Sequence, residues 1–128
     1  MRSRILFISG RQEDARELMQ MLHSLPLVVD HAGNLRQARV QLQGSDYDVV
    51  LTEAALPDGN WLDVLHLVRE TPQEPQVVVT DAHADATLWS RALNLGAFDL
   101  LAQPFYEPEV RRILYNACSR DVSAMAAV

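Results

Sequence analysis

Short apolar, β-rich runs alternate with amphipathic helical stripes along almost the whole chain, and this alternation constrains the fold more than any other feature. Arg4-Ile5-Leu6-Phe7-Ile8 is such a run, ended by Ser9-Gly10. Ala15, Leu18, Met19 and Leu22 then fall at i, i+3, i+4 and i+7, the stripe of one helix face. Glu13, Asp14 and Glu17 sit in its first turns, where the helix dipole favours negative charge. Pro26 stops that helix, and Leu27-Val28-Val29 begins a second strand. After the Gly33-Asn34 turn, Leu35, Ala38 and Leu42 mark a second, shorter helix.

Gly44-Ser45-Asp46 breaks it, and Tyr47 to Thr52 reads as the third strand. Leu56-Pro57-Asp58-Gly59-Asn60 is a loop with strong turn chemistry. A third helix is predicted from Trp61 to Glu70, and a fourth strand over Gln76 to Thr80. The segment from Ala84 to Leu95 repeats the helical stripe, with Gly96 as its C-cap. Phe98 to Ala102 is the fifth strand. Pro108 suits the first turn of a last helix, whose stripe is Val110, Ile113, Leu114 and Ala117.

Strands alternating with helices imply parallel pairing through right-handed crossovers. The expected fold is therefore α/β, a doubly wound five-stranded parallel sheet with five flanking helices. The runs at 49–51 and 77–79 are uninterrupted valine or leucine, as strands buried on both faces should be. At 128 residues the chain has the size of one domain, near the usual range of about 100–150. That domain is expected over 1–118, with the small, aperiodic residues 119–128 as a tail or the start of a linker.

Charge and composition remove several functions. Net charge is −6 with pI near 5.0, which argues against direct nucleic-acid or anionic-membrane binding. All 11 basic residues are arginine. Without lysine, Schiff-base chemistry and a phosphate-binding Walker lysine are excluded. The single cysteine, Cys118, forms no internal disulfide and no Cys-rich zinc site, and packing is its expected role. The apolar stretch after Met1 is too short for a signal peptide, and no segment approaches the ~20 apolar residues of a membrane span. A soluble, cytoplasmic protein is expected.

Open α/β sheets bind ligands at the carboxyl ends of their strands. Those ends carry Ser9-Gly10-Arg11, Glu53, Asp81 and Gln103-Pro104. Together with the Arg-Ile-Leu-Phe-Ile opening, Leu56-Pro57-Asp58-Gly59, Leu95-Gly96-Ala97 and Gln103-Pro104-Phe105, they carry a resemblance. To about Cys118 the chain resembles a response-regulator receiver domain, the CheY-like module of two-component signalling. The resemblance implies a flavodoxin-like strand order 2-1-3-4-5, a signalling role and no enzymatic activity. It also implies a cis peptide before Pro104.

Residue by residue, the family's phosphorylation chemistry is replaced. Ser9 and Gly10 stand where such domains place two acidic Mg²⁺ ligands. Glu53 stands at the phosphoacceptor aspartate, Asp81 at the hydroxyl position with Thr80 one step away, Gln103 at the lysine, and Leu100 at the aromatic switch position. Mg²⁺ usually takes one or two carboxylates, so its binding is expected to be weak or absent, with no cofactor. Phosphoryl transfer also needs cationic donors against the developing charge, and Asp81 adds a negative one.

Three readings of Glu53 stay open: an inert carboxylate, a permanent mimic of the phosphorylated state, or an ion pair with Arg11, the nearest cation on the first loop. Arginine suits the last through its bidentate fork. His23, His31, His66 and His83 show no metal spacing and read as surface or half-buried side chains. Trp61 and Trp89 read as core or interface residues.

The leading expectation is an atypical, phosphorylation-independent receiver that binds a protein partner or a second copy. The face of the fourth helix, fifth strand and fifth helix would serve, presenting Trp89, Arg91, Tyr106, Arg111, Arg112 and Tyr115. One alternative is a receiver still phosphorylated by a histidine kinase at a non-standard carboxylate. Another is a flavodoxin-like small-molecule binder, against which no Gly-rich phosphate loop follows the first strand.

Overall fold

In the computed structural model, which describes residues 3–119, each apolar run becomes a strand and each stripe a helix. The order is β1 (Ser3–Ile8), α1 (Gln12–Leu22), β2 (Leu27–Ala32), α2 (Leu35–Gly44), β3 (Val49–Glu53), β4 (Ala55–Leu56), β5 (Gly59–Asn60), α3 (Trp61–Arg69), β6 (Gln76–Asp81), α4 (Ala86–Asn94), β7 (Asp99–Ala102) and α5 (Glu107–Cys118). From residue 120 on, the expected tail lies outside the described residues.

The five long strands form one sheet in the order β2-β1-β3-β6-β7, every neighbouring pair parallel. This is the expected 2-1-3-4-5 order, with two short strands added to the numbering. Successive side chains of a strand point to opposite faces, and each face builds its own core. Ile5, Phe7, Leu51, Val78 and Leu101 pack with Leu18 of α1 and Val110 and Leu114 of α5. Leu6, Ile8, Val50 and Val79 pack with Ala38 of α2, Val64 of α3 and Ala92 of α4. Burying each such aliphatic side chain contributes about 1.5–3 kcal/mol.

Several boundaries differ from the sequence expectation, β7 beginning at Asp99 rather than Phe98 among them, and two differences lie around β3. The 56–60 loop is a small hairpin, with Ala55 opposite Asn60 and Leu56 opposite Gly59. Gly59 permits it, because a Cβ there would collide with Leu35 and Asp63. The third strand begins at Val49 rather than Tyr47. Tyr47 instead buries its ring and hydrogen-bonds Asp30, while the Asp48 carboxylate accepts the Arg4 N–H at 2.8 Å.

Helix ends follow the predicted signals. Asp85 caps α4 through the Leu88 N–H, which trims the expected start at Ala84. Gly96 takes the left-handed conformation, φ 109°, just past the α4 C-terminus. There the Gly96 and Ala97 N–H groups bond back to the carbonyls of Leu93 and Ala92, the geometry that favours glycine.

Candidate functional site

Three adjacent strands place the first part of the site. Phe7 lies opposite His31, and Ile8 opposite Thr52. By alternation, Phe7 and Ser9 of the first strand and its extension, Val29 and His31 of β2, and Leu51 and Glu53 of β3 face the α1–α5 side. His31 and Phe7 are ring neighbours, their centroids 6.2 Å apart.

The β1–α1 loop is fully tied. The Ser9 N–H donates to the Ala32 carbonyl at 3.0 Å. The Ser9 side chain is completely buried. Its hydroxyl accepts the Arg11 N–H at 3.1 Å and donates to the Arg11 carbonyl at 3.3 Å. The Gly10 N–H donates to Glu53 Oε1 at 3.1 Å. His31 Nε2 lies 2.8 Å from the Ser9 carbonyl oxygen. A carbonyl only accepts, so Nε2 carries the proton.

Of the three readings open for Glu53, the ion pair with Arg11 is not among the salt bridges of the described residues. The Arg11 guanidinium instead lies 4.0 Å from both Glu13 and Asp14. Arg11 is the N-cap residue of α1 and makes no side-chain cap bond. Its side chain follows the helix start, where those carboxylates are two and three residues away, and Glu53 takes a backbone donor.

The second part of the site lies on β6 and β7. Thr80 is buried, and its hydroxyl donates to the Leu101 carbonyl at 2.7 Å. Asp81 follows the alternation of Val77 and Val79, so it leaves the sheet on the face opposite Glu53. Its carboxylate turns into its own loop and accepts the His83 N–H at 2.7 Å. Leu100 is buried in the α2–α3–α4 core. Gln103 is half-buried and donates its N–H to the Asp81 carbonyl at 3.1 Å. The Gln103–Pro104 peptide is cis. Between this loop and α1 lies a small cleft lined by Arg11, Asp14, Gln103, Pro104 and Phe105.

Among the described residues, no group of three or more His, Cys, Asp or Glu is arranged to hold a metal ion. The site's own donors agree: Ser9 Oγ is used within its turn, and Glu53 Oε1 is turned to a backbone N–H. No described helix is long and apolar enough to cross a membrane. Cys118 is half-buried, and burial pushes its thiol pKa up to about 11.

On the α4–β7–α5 side, Trp89, Tyr106 and Tyr115 are exposed. The Trp89 Nε1–H reaches Asp99 at 3.3 Å. Arg91 and Arg111, also expected there, lie on α4 and α5. Arg91 lies over the Trp61 ring of α3, 5.8 Å from its centroid, and Arg111 is half-buried.

Residues 5–115 match the response regulator receiver domain. The chain belongs to that family. It is 32% identical over 108 residues to the response regulator protein PilR of Pseudomonas aeruginosa, covering 83% of this chain and 24% of PilR. It is 36% identical over 73 residues to the transcriptional regulatory protein DpiA of Escherichia coli, covering 57% of this chain and 32% of DpiA. The chain thus spans about a quarter to a third of the length of these relatives.

Solved receiver structures share the fold. The signal receiver domain of an HD domain-containing protein from Pseudomonas fluorescens superposes with a TM-score of 0.84 at 23% identity, covering 99% of this chain and 94% of that one. The chemotaxis response regulator CheY4 of Vibrio cholerae gives 0.82 at 16% identity, covering 91% and 99%. In this receiver domain, the residue that sequence reasoning passed over is His31. No spacing pattern marks it; only the β1–β2 register brings it to the Ser9 carbonyl.

Proposed function

We propose that this receiver domain is a phosphorylation-independent protein-interaction module, without enzymatic activity, working in the cytoplasm. The observation that carries the reading is the hydrogen bond from the Gly10 N–H to Glu53 Oε1. It joins the phosphoacceptor position directly to the loop from which the family's acidic residues hold Mg²⁺. The extra methylene of glutamate spans that distance and leaves the carboxylate engaged with neutral backbone.

The other groups that phosphoryl transfer uses are lacking too. A transferring phosphoryl group needs a cation and positive donors, and Gln103, Ser9 and Gly10 supply no charge. Asp81 faces away from Glu53 and keeps its carboxylate on His83. The hydroxyl nearest in register to Glu53, that of Thr80, is already donated to the Leu101 carbonyl.

Output then rests on a standing surface. Trp89, Tyr106 and Tyr115 are 49%, 66% and 61% exposed on the α4–β7–α5 side, and exposed aromatic side chains of this kind favour protein interfaces. The partner is another protein or a second copy of this chain.

The test is incubation with acetyl phosphate and Mg²⁺ followed by intact mass, beside a receiver that retains the acidic pair, aspartate and lysine. The expected result is a phosphate adduct on the control and none on this chain. A phosphate located on Glu53 or Asp81 overturns the proposal.

A further inference from the structure

The Ser9–Gly10 peptide is held at both ends by side chains of different strands. Its carbonyl oxygen accepts from His31 Nε2 at 2.8 Å, and its N–H donates to Glu53 Oε1 at 3.1 Å. β2 and β3 flank β1 on opposite sides, so the two contacts cross the sheet through one peptide unit. The His31 contact is part-buried, where water competes less for it, whereas the Gly10–Glu53 bond lies at the surface.

We infer that His31 is the positioning residue of this site, acting through the Ser9–Gly10 peptide to hold the β1–α1 loop on Glu53. The inference deepens the proposed function and rests on that reading for its meaning in signalling. Hydrogen bonding at a carbonyl polarises its amide, which makes the N–H of the same peptide a better donor. The acceptor is a carboxylate, and bonds to ionised groups are the stronger ones.

The remaining polar groups of the loop leave this contact undisturbed. Ser9 Oγ is committed to Arg11 backbone, and the Arg11 guanidinium lies at Glu13 and Asp14. The result is a latch made of one backbone peptide, one imidazole and the Glu53 carboxylate. It joins β2, β1 and β3 at the place where a divalent cation would otherwise bridge the loop and the β3 carboxylate. A loop held in this way keeps its shape whether or not divalent ions are present.

The experiment is NMR on the full chain, reading the Gly10 amide proton and the His31 ring nitrogens. In His31→Phe, which keeps a ring but removes the donor, the Gly10 N–H is expected to move upfield. Its exchange with solvent is expected to quicken about tenfold, as loss of the His31 bond to the Ser9 carbonyl weakens the Gly10–Glu53 contact across the same peptide. His31→Gln, which restores an N–H donor, is expected to recover part of both changes. In Glu53→Gln, the His31 Nε2 resonance is expected to shift, although the two side chains bond only the shared peptide. MgCl2 is expected to leave the wild-type Gly10 resonance in place.

A Gly10 amide identical in His31→Phe and wild type, within a well-dispersed spectrum, overturns the inference. Should His31→Phe not fold, Glu53→Gln decides, and an unmoved His31 Nε2 resonance there overturns it equally. The two proposals fail separately. A phosphate adduct defeats the phosphorylation-independent reading while the Gly10 shifts still report the latch. Unmoved Gly10 and His31 signals defeat the latch while an unmodified mass still supports the functional reading.

Discussion

Asp58 caps the helix that begins at Leu35. Its Oδ1 accepts the Leu35 N–H at 2.8 Å, and Oδ2 accepts the Arg36 N–H at 3.2 Å. Asn34 takes the Gln37 N–H at 2.8 Å, so the two caps together satisfy the first turn of α2, donors that a helix leaves without internal partners. The negative charge also meets the positive end of the helix dipole. The β4–β5 hairpin, which follows Glu53 in the chain, is thereby fastened to α2.

Replacing Asp58 by Ala is expected to cost about 1 kcal/mol of stability, the usual worth of such a cap. Urea unfolding monitored by circular dichroism reads this as a lower midpoint with an unchanged slope. A midpoint equal to wild type would show that the cap contributes nothing.

Tyr47 links three elements at the other end of the sheet. Its hydroxyl donates to Asp30 Oδ2 at 2.7 Å, and Arg4 bonds the same oxygen at 2.8 Å while lying 5.2 Å from the Tyr47 ring centroid. Tyr47→Phe keeps the buried ring and removes one donor to a charged acceptor, so a loss of about 1.5 kcal/mol is expected. Paired with Asp30→Asn in a double-mutant cycle, the two losses should be less than additive.

Two groups give the domain an alkaline limit. Burial pushes the Cys118 thiol from 9.0 up to about 11. Burial, followed by the Asp30 hydrogen bond, pushes the Tyr47 hydroxyl from 10.0 up to about 12. In both cases the folded chain keeps a proton that the unfolded chain releases, so stability falls as pH rises. Their contribution is complete below pH 9 and is lost between about 9 and 12. Thermal midpoints across this range should decline, and Cys118→Ala should flatten the part below pH 11. A wild-type curve that stays level to pH 12 contradicts both assignments.

Leu51 is fully buried on the central strand and packs in the α1–α5 core. Leu51→Ala is expected to cost about 2–5 kcal/mol through lost burial and the cavity left behind. Chemical denaturation measures it, and a loss under about 1 kcal/mol would mean that the core collapses around the gap.

Most of the fold was legible because strand and helix periods are local properties. The stripe Val110, Ile113, Leu114 and Ala117 predicts α5, and all four are buried. The Gly96 turn is equally local. The 56–60 hairpin was legible only as a turn, since its two-residue strands are too short for any period to register. The β3 start was misplaced because Tyr47 and Asp48 have strand-like neighbours, but their side chains are drawn to Asp30 and Arg4.

At the site, the sequence by itself determined which chemical groups stand at the strand ends: a glutamate, a serine and a glycine, with no lysine anywhere in the chain. From these groups comes the proposal that the family's phosphorylation chemistry is absent. Only the tertiary structure decided how the remaining groups are paired. Arg11 was the nearest cation to Glu53 along the loop, yet the α1 start keeps it with Glu13 and Asp14. Glu53 meets the Gly10 N–H instead, and His31, 22 residues from Ser9, closes the other end of that peptide. Such partners depend on strand register and on which way a side chain leaves its backbone. Both are set by packing between elements, and neither leaves a periodic signal along the chain.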